Sequence, residues 1–311
     1  MSGVICLGEA LIDFTPLDKE NQDFRKNPGG APANVAVALS RLGVNVDFIS
    51  KVGKDFFGKY LKNKLAKENV NTKNVFLTNK AKTGITFVTV DEKGDRSFDF
   101  YVKSSADSLL KKEEVDEKVF KENDFFHFGS ISLIEEPARS ATKYAIKLAE
   151  ENNLIISFDP NLRFPLWSEK DDAKDQVVSV LDKCDILKVS KEELEFISGE
   201  NDIEKGLEFI KSNYNISLIF ITVGGKGAYF YKNNLGYVPG NQVDVVDTIG
   251  AGDSFLAAIL YNINKLDKSL DKLNDDILEE ITEFANLAAS LTVTQRGAMS
   301  GMPTLKNIIS L

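Results

Sequence analysis

The stretch DTIGAGDSFLAAIL, from Asp247 to Leu260, joins a glycine-rich turn to an Ala- and Leu-rich segment that is typical of a helix. The small residues Gly250, Ala251 and Gly252 stand directly before that segment. Their size lets consecutive backbone N–H groups point into one cavity at the positive end of the helix, which suits an anion. The stretch therefore predicts an anion site at a helix N-terminus.

Asp253 follows this turn and falls in the first turn of the predicted helix. A carboxylate beside an anion site is unfavourable for simple phosphate binding. It becomes useful if it accepts the proton of a hydroxyl that attacks a phosphoryl group. The alternative is an aspartate that only caps the glycine-rich N-terminus of the helix. The spacing by itself leaves both interpretations open.

Outward from this stretch, short β-branched and aromatic runs alternate with longer amphipathic segments. Predicted strands are VICLGE at the start, VDFISKVG near 46, DFFHFGS near 124, LIISFDP near 154, DILKVS near 185 and SLIFITVGG near 217. Predicted helices are ANVAVALSRLG, FFGKYLKNKLAKEN, Pro137 to Asn152 and Ile203 to Asn213. Continuously apolar strands between helices indicate a doubly wound, mainly parallel α/β sheet with helices on both faces. Ligands of such a sheet bind at the carboxyl ends of its strands.

One region breaks this rhythm. TGITFVTVDEKGDRSFDFYV, from Thr83 to Val102, alternates with a period of two on both sides of a polar turn, which predicts a β-hairpin. The extended, turn-rich segment after Glu9 is a candidate partner for it. We expect a small second sheet, a lid formed by residues of about 10–28 and 83–103. Its apolar face needs a cover, which is a substrate, the main domain or a second subunit.

Composition excludes several classes of function. The net charge of −9 argues against a nucleic-acid binder. One histidine and two distant cysteines give no metal-ligand spacing. The string G-x-x-x-x-G-K-[ST] is absent, which disfavours a P-loop NTPase, and no G-x-S-x-G nucleophile elbow occurs. With no targeting leader and no apolar run of membrane length, we expect a cytoplasmic protein without a membrane partner.

Four further positions are candidates for ligand contact, each with an ordinary alternative. Asn34 is polar within a small, apolar stretch, so it pairs either with a hydroxylated ligand or with backbone. Asp13 follows the first strand and either binds sugar-like hydroxyls or is a solvated loop residue. Arg163 follows the strand LIISFDP, where it either meets phosphate or substrate or makes a surface salt bridge. The glycine turn in ITVGGKGAYF, from Ile221 to Phe230, is a weak signal for a nucleotide loop.

Taken together, the motifs resemble a known family. GGAPANVAVALSRLG, from Gly29 to Gly43, and the stretch from Asp247 to Leu260 resemble the two signatures of the PfkB (ribokinase-like) family of carbohydrate kinases. The resemblance runs along essentially the whole chain, so it implies a single ribokinase-like kinase domain, residues 1–311, with a β-lid. It also implies ATP-dependent phosphoryl transfer to a sugar.

The resemblance assigns roles to individual residues. It makes Asp253 the catalytic base and the backbone amides of Gly250, Ala251, Gly252 and Asp253 the anion hole for the transferring phosphate. It places Asp13, Gly30 and Asn34 at the sugar hydroxyls, Thr222, Gly224 and Gly227 in the nucleotide loop, and Asn286 near the adenine.

Two ion sites follow from the same resemblance. Many members carry an N-x-x-E motif that helps to place Mg²⁺ and phosphate, and the corresponding residues here are Ser190 and Glu193. Members also often bind a monovalent cation near the anion hole through backbone carbonyls. Asp247, Ile249 and Gly297 fall at the matching positions, which implies activation by K⁺.

Three other stretches, HFGSISLIEEPARSA, FDPNLRFPLW and KVSKEELEFI, resemble those of fructokinases. The resemblance therefore implies phosphorylation of D-fructose to fructose 6-phosphate. The alternatives are a PfkB kinase for 2-keto-3-deoxygluconate or an aminoimidazole riboside, and a non-catalytic sugar- or nucleotide-binding regulator. Family lids often pair across a two-fold axis, so a homodimer is expected, with Phe87, Phe98 and Phe100 supplying its apolar surface.

Overall fold

A computed structural model describes residues 3–91, 96–266 and 270–310 of the chain. The strands are β1 Gly3–Leu7, β2 Leu11–Pro16, β3 Phe24–Gly29, β4 Val46–Gly53, β5 Val75–Thr78, β6 Gly84–Val90, β7 Arg96–Phe100, β8 Asn123–Gly129, β9 Ile155–Asp159, β10 Ile186–Ser190, β11 Leu218–Thr222, β12 Gly227–Tyr231 and β13 Leu235–Pro239. The helices are α1 Ala31–Arg41, α2 Phe56–Lys67, α3 Val119–Glu122, α4 Ala138–Glu151, α5 Lys170–Leu181, α6 Lys191–Ser198, α7 Ile203–Asn213, α8 Ala251–Lys265, α9 Asp275–Val293, α10 Ala298–Gly301 and α11 Leu305–Ile309.

The main sheet has the strand order β13-β12-β11-β10-β9-β8-β1-β4-β5. Every neighbouring pair from β11 through β10, β9, β8, β1 and β4 to β5 is parallel, and β12 and β13 continue the sheet as antiparallel strands. The strand order reverses at β1, which opens a crevice at the carboxyl ends of the strands. The predicted doubly wound, mainly parallel α/β fold is confirmed.

Alternation along each strand divides the core into two layers, one on each face of the sheet. In β1, Val4 and Cys6 join the layer under α1 and α8, whereas Ile5 and Leu7 join the opposite layer. Burying one large apolar side chain contributes roughly 1.5–3 kcal/mol. Helix α8 packs against both α1 and α9, and its residues from Asp253 to Tyr261 are buried. This burial fixes the helix whose N-terminus the sequence singles out.

A second sheet has the order β3-β2-β6-β7, and its strands fall within the two segments predicted for the lid. Asp13 pairs with Thr86, and Thr86 pairs with Phe100, so these side chains share one face of the sheet. Phe14 and Phe87 also pair with each other and occupy the opposite face. The predicted DEKG turn of the hairpin lies largely outside the described residues.

The register corrects one prediction. Phe98 and Phe100 do not share an outer apolar surface with Phe87, because Phe87 pairs with Asp99 and strand residues alternate between faces. Phe98 and Phe100 instead face the cavity between the two sheets.

Some strands of the main sheet also differ from those predicted from the sequence. The first strand ends at Leu7 rather than at Glu9, because Gly8 has a φ of 151° and turns the chain. The short strands β5 and β13 at the two edges of the sheet were not predicted. Among the described residues, no helix is both long enough and apolar enough to span a lipid bilayer.

Candidate active site

The N-terminus of α8 begins on a left-handed turn. Gly250 has a φ of 87°, and a Cβ added there would lie 2.8 Å from Ala298 Cβ and 3.0 Å from Ala298 Cα. Both the conformation and the close approach require glycine at this position. Ala251 and Gly252 follow as the first helical residues, and the amides of a first helical turn have no carbonyl partner within the helix. The turn therefore presents N–H groups to a ligand.

Asp253 is the third residue of α8, and its side chain is only 6% exposed. Asn34 Nδ2 donates a hydrogen bond to Asp253 Oδ2 at 2.8 Å, and Asn161 Nδ2 lies 3.5 Å from Oδ1. Burial raises the pKa of Asp253 to about 6, although the Asn34 hydrogen bond and the charges of Lys188 and Arg163 oppose the rise. A carboxyl with this pKa is ionised at neutral pH yet can take up a proton during a reaction.

A small cavity of about 50 Å³ lies between Asp253 and the second sheet. Its lining residues are Glu9, Leu11, Asp13, Gly30, Ala31, Asn34, Thr86, Phe98, Phe100, Ile131, Asn161, Arg163, Ile249 and Asp253. Because Asp13, Gly30 and Asn34 are predicted to hold sugar hydroxyls, we call it the sugar cavity. The predicted residues Asp13, Gly30, Asn34 and Arg163 therefore meet there, although they come from three separate segments of the chain.

The polar groups of the sugar cavity are incompletely paired. Within the described part of the chain, the buried Asn34 Oδ1 has no hydrogen-bond partner, so it is available to a ligand hydroxyl. Burial raises the pKa of Asp13 to about 7, and the nearby Arg163 lowers it in part. Gly30 has a φ of 102°, and a Cβ added there would lie 2.4 Å from Glu9 O. Glycine thus brings backbone close to the cavity where a side chain would not fit.

Lys188 lies beside the turn at the start of α8, and the sequence analysis missed it. Its Nζ makes a 2.9 Å salt bridge to Asp159 Oδ2, with both side chains buried. A Cβ added at Gly252 would lie 2.9 Å from Lys188 Nζ, so the ammonium group stands next to the first turn of α8. The sequence signal was a lysine within the otherwise apolar strand run DILKVS.

Glu193 connects two segments around Lys188. Its Oε2 accepts a hydrogen bond from Ser190 N and its Oε1 accepts one from Leu162 N, both at 2.8 Å. Ser190 Oγ in turn accepts a hydrogen bond from Glu193 N, which completes a capping box at the start of α6. Burial and the neighbouring Asp159 raise the pKa of Glu193. Both carboxylate oxygens therefore hold backbone N–H groups, one at Leu162 and one at Ser190.

A larger cavity, of about 360 Å³, lies on the other side of the α8 N-terminus. We call it the nucleotide cavity. It is lined by Thr222, Gly224, Gly225, Gly227, Gly240, Asn241, Gln242, Val243, Val245, Thr248, Ala251, Gly252, Phe255, Asn286, Ala289, Ser290 and Val293. Thr222, Gly224, Gly227 and Asn286 were predicted from the sequence. The predicted Ser190 lines a separate pocket with Lys188 and Glu193.

The apolar walls of the nucleotide cavity carry no signal in the sequence. Val243, Val245 and Ala289 are ordinary residues in a loop and a helix, and only the fold gathers them. Asn286 Nδ2 donates to Val238 O and Pro239 O, both at 3.2 Å. These hydrogen bonds fix the amide and orient its oxygen.

Asp247 links Ile249 and Gly297, the two other residues predicted at the monovalent-cation site. Its Oδ1 accepts a hydrogen bond from Ile249 N at 2.9 Å, and its Oδ2 accepts one from Gly297 N at 2.8 Å. The buried carboxylate thus ties the loop before α8 to the turn before α10. In residues 3–91, 96–266 and 270–310, no cluster of three or more His, Cys, Asp or Glu side chains could hold a metal ion by itself.

The two cavities therefore meet at one helix N-terminus, with Asp253 on the side of the smaller one and Ala251 and Gly252 on the side of the larger one. The family model described as "pfkB family carbohydrate kinase" matches residues 1–305. The chain belongs to the pfkB family of carbohydrate kinases. The family resemblance inferred from the two sequence signatures is confirmed.

Named relatives of this pfkB chain include fructokinases. It is 43% identical over 309 residues to "Probable fructokinase-6, chloroplastic" of Arabidopsis thaliana, covering 97% of this chain and 80% of the relative. A structure of a double mutant of fructokinase from Vibrio cholerae O395, in a form with fructose, ADP and potassium bound, superposes with a TM-score of 0.92. The two are 36% identical, with 100% of this chain and 98% of that chain covered.

A second solved structure represents another substrate. Aminoimidazole riboside kinase from Salmonella enterica, complexed with aminoimidazole riboside and an ATP analogue, has a TM-score of 0.87 and 26% identity to this pfkB chain. The match covers 99% of each chain. The fold is thus shared by a fructokinase and an aminoimidazole riboside kinase.

Proposed function

We propose that this chain is a fructokinase, which transfers the γ-phosphoryl group of ATP to D-fructose and forms fructose 6-phosphate and ADP. The observation that carries the proposal is the position of Asp253 between two cavities, one lined by polar groups suited to a sugar and one suited to a nucleotide. The similarity to fructokinases at 43% and 36% identity supports fructose as the acceptor.

The sugar binds in the sugar cavity with its hydroxyls on Asp13, Asn34 and the backbone at Gly30. Asn34 has two functions in this proposal. Its amide group holds the Asp253 carboxylate, and its unpaired Oδ1 accepts a sugar hydroxyl. The 6-hydroxyl oxygen then forms a bond to the γ-phosphorus while the bond from that phosphorus to the β–γ bridging oxygen breaks. Asp253 accepts the hydroxyl proton, and ADP leaves with the electron pair.

Positive groups at the α8 N-terminus stabilise the transferring phosphoryl group. These are the backbone amides of Gly250, Ala251, Gly252 and Asp253, which form the anion hole. Lys188 lies next to Gly252 and adds a full charge at the same place, where water is largely excluded. Because most catalysis of phosphoryl transfer is electrostatic, we place Lys188 among the catalytic residues. Arg163 faces the sugar cavity and meets the phosphoryl group from that side.

The nucleotide binds in the nucleotide cavity, with its phosphates toward the anion hole. Thr222, Gly224 and Gly227 form the nucleotide loop, and Asn286 stands near the adenine between apolar walls. Ser190 lies on the phosphate side with Lys188.

Two ions fit this arrangement. Mg²⁺ is commonly held by substrate phosphates and waters with one or two carboxylates, which agrees with the lack of a larger acidic cluster among the described residues. Glu193 and Asp159 are the carboxylates that would hold it, and it would neutralise phosphate charge. K⁺ would bind backbone carbonyls around Asp247, Ile249 and Gly297, which the Asp247 carboxylate holds together.

A homodimer through the lid is part of the proposal. The outer face of the second sheet carries Phe14 and Phe87 stacked at 5.0 Å, with Phe24 and Tyr101 packed edge-on against Phe87. Tyr101 is 76% exposed and the three phenylalanines are half-buried, and a contiguous, partly exposed aromatic surface of this kind is typical of a protein interface. We take a second copy of the chain as its partner.

Tyr101→Glu is expected to convert the dimer to a monomer at low micromolar concentration, as measured by sedimentation. Leu266→Glu, at an exposed apolar residue outside the lid, is the matched control. A wild-type protein that sediments only as a monomer would contradict the proposed dimer. Location in the cytoplasm stays a prediction.

The proposed activity is tested by a panel of sugars with coupled detection of ADP, run with and without K⁺. We expect D-fructose to give the highest kcat/KM and K⁺ to increase it. Higher activity with 2-keto-3-deoxygluconate or aminoimidazole riboside would identify a different substrate but leave the assignment as a kinase unchanged. Absence of ADP release with every sugar would instead favour a non-catalytic regulator.

A further inference from the structure

Glu9 is a buried acid in the sugar cavity to which the reaction described above gives no role. It lies in the turn between β1 and β2, is 4% exposed, and lines the cavity together with Asp13 and Asp253. Three carboxyl groups therefore surround one small space. A neutral sugar does not require three negative charges, so the presence of the third carboxyl needs an explanation.

One oxygen of Glu9 supports the backbone that borders the cavity. Glu9 Oε1 accepts a hydrogen bond from Ala31 N at 2.8 Å, at the first residue of α1. The N-cap residue of that helix is Gly30, which has no side chain to cap it, so Glu9 takes over the capping from the neighbouring turn. Glu9 therefore holds the Gly30 turn in place.

The charges around Glu9 disfavour its ionised form. Asp13 and Asp253 line the same cavity, and Asp107 faces Glu9 from the short helical turn Ala106–Leu109. Among the described residues that line the cavity, Arg163 is the single cation, and its charge acts on Asp13 and Asp253. Burial raises the pKa of Glu9 to about 8, with added repulsion from Asp107 and Asp253, although hydrogen bonds from its own backbone N–H and from Ala31 N oppose the rise. At neutral pH the group keeps its proton.

We propose that Glu9 is an uncharged carboxyl that determines sugar binding, accepting the Ala31 N–H with one oxygen and donating its own proton to an oxygen of the bound sugar. When ionised, Asp13 and Asp253 only accept hydrogen bonds, whereas each sugar hydroxyl offers both a proton and lone pairs. Glu9 adds a donor to the one that the Arg163 guanidinium already supplies in this cavity. The proposal rests on the proposed function, because it assumes that the cavity holds a sugar.

Three variants test the role of Glu9 in sugar binding. Glu9→Gln keeps an acceptor and a donor without an ionisable proton, Glu9→Ala removes both, and Glu113→Gln changes an exposed acid as a control. At pH 7 we expect the sugar KM of Glu9→Gln to stay within about threefold of wild type and that of Glu9→Ala to rise about tenfold, as for loss of one buried hydrogen bond. Equal effects of Gln and Ala would overturn the proposal.

The pH dependence separates an uncharged donor from a purely structural residue. Above pH 8, Glu9 ionises and its donor is lost, so the sugar KM of the wild type and of Glu113→Gln should rise. The sugar KM of Glu9→Gln should not rise in parallel. A profile of Glu9→Gln that matches the wild type across this range would contradict the proposal.

An NMR titration without substrate measures the charge state of Glu9 directly. In protein labelled with ¹³C at glutamate carboxyls, one resonance should titrate near pH 8 and be absent in Glu9→Gln. A Glu9 resonance that titrates near pH 4.5, the ordinary value, would overturn the proposal. A wild type inactive on every sugar would contradict the proposed function and the sugar contact with it, even where the titration shows an uncharged Glu9.

Discussion

The sugar cavity and the nucleotide cavity share one helix N-terminus but recognise their ligands by different means. The sugar cavity brings together three carboxyl groups and the Arg163 guanidinium within about 50 Å³. The nucleotide cavity, at about 360 Å³, has about seven times that volume. None of the described residues that line it is ionisable. In the proposed function, one side therefore binds its ligand through polar and charged side chains, and the other through glycine backbone and apolar walls.

This difference predicts how each side responds to mutation and to pH. A side chain that holds a hydroxyl or a proton cannot be replaced without loss of its function. An apolar wall shares its contact among several residues, so one truncation costs little. We expect large, pH-dependent effects on the sugar side and small, pH-independent effects on the nucleotide side.

The largest effect is expected from Asp253→Asn. Loss of a general base should lower kcat by roughly 10²- to 10⁴-fold while the sugar KM changes little. Because burial raises the pKa of Asp253 to about 6, from its usual 3.8, the ionised form costs the folded state free energy at pH 7. The neutral variant should therefore also melt at a higher temperature. Steady-state kinetics and thermal denaturation measure both effects, and near-normal turnover would remove Asp253 from the role of base.

Lys188→Met should give the next largest effect. Removing the ammonium group beside Gly252 should lower kcat/KM for ATP by roughly 10²- to 10³-fold, the range for losing one group that stabilises transition-state charge. The variant leaves Asp159 buried without its partner, so Asp159→Asn with Lys188→Met is the companion that restores folding. The exposed Lys121→Met is the control. Because Asp159 is also proposed to hold Mg²⁺, the double variant is compared with Asp159→Asn alone, and equal activity of these two variants would exclude Lys188 from catalysis.

A smaller effect should follow from acidification. Asp253 must be ionised to accept a proton, and its pKa of about 6 lies above the ordinary value. Activity should be full above this pKa and fall about tenfold per pH unit below it. The residual activity of Asp253→Asn should not show this decrease at low pH. A wild-type kcat/KM that stays constant from pH 7 to pH 5 would contradict the assignment.

The smallest effect is expected on the nucleotide side. Val245 lines the nucleotide cavity but is 61% exposed, so Val245→Ala removes only part of a buried contact. We expect the KM for ATP to rise about two- to threefold, with the sugar KM unchanged. A tenfold or larger loss would mean that single side chains, rather than backbone and shared walls, dominate nucleotide binding.

The same contrast explains what the sequence could predict. Asn34 and Asp253 stood out because polar residues in apolar or glycine-rich surroundings need partners, and Asp13 stood out because it follows the first predicted strand. Val243 and Val245 did not, because valines in a loop resemble those in many other loops. The parallel strands and the hairpin were predictable from periodicity, whereas the edge strands β5 and β13 were too short to show a pattern.

Other residues acquired their surroundings only through folding. Glu9 lies 22 residues before its partner Ala31, and the fold places the start of α1 against the turn that carries Glu9. Lys188 was hidden in an apolar strand because its partner Asp159 belongs to a neighbouring strand. The alternation in the hairpin sequence places Phe87 and Phe98 on opposite faces. Only the pairing of the hairpin with β2 shows which of these faces lines the sugar cavity.

The most direct test of the account is a crystal structure of the protein with D-fructose and a non-hydrolysable ATP analogue bound together. The account predicts the sugar 6-hydroxyl within about 3 Å of the Asp253 carboxylate, the reach of a general base. It also predicts the terminal phosphate against the first amides of α8 and Lys188. A structure with both ligands bound away from the α8 N-terminus would contradict it.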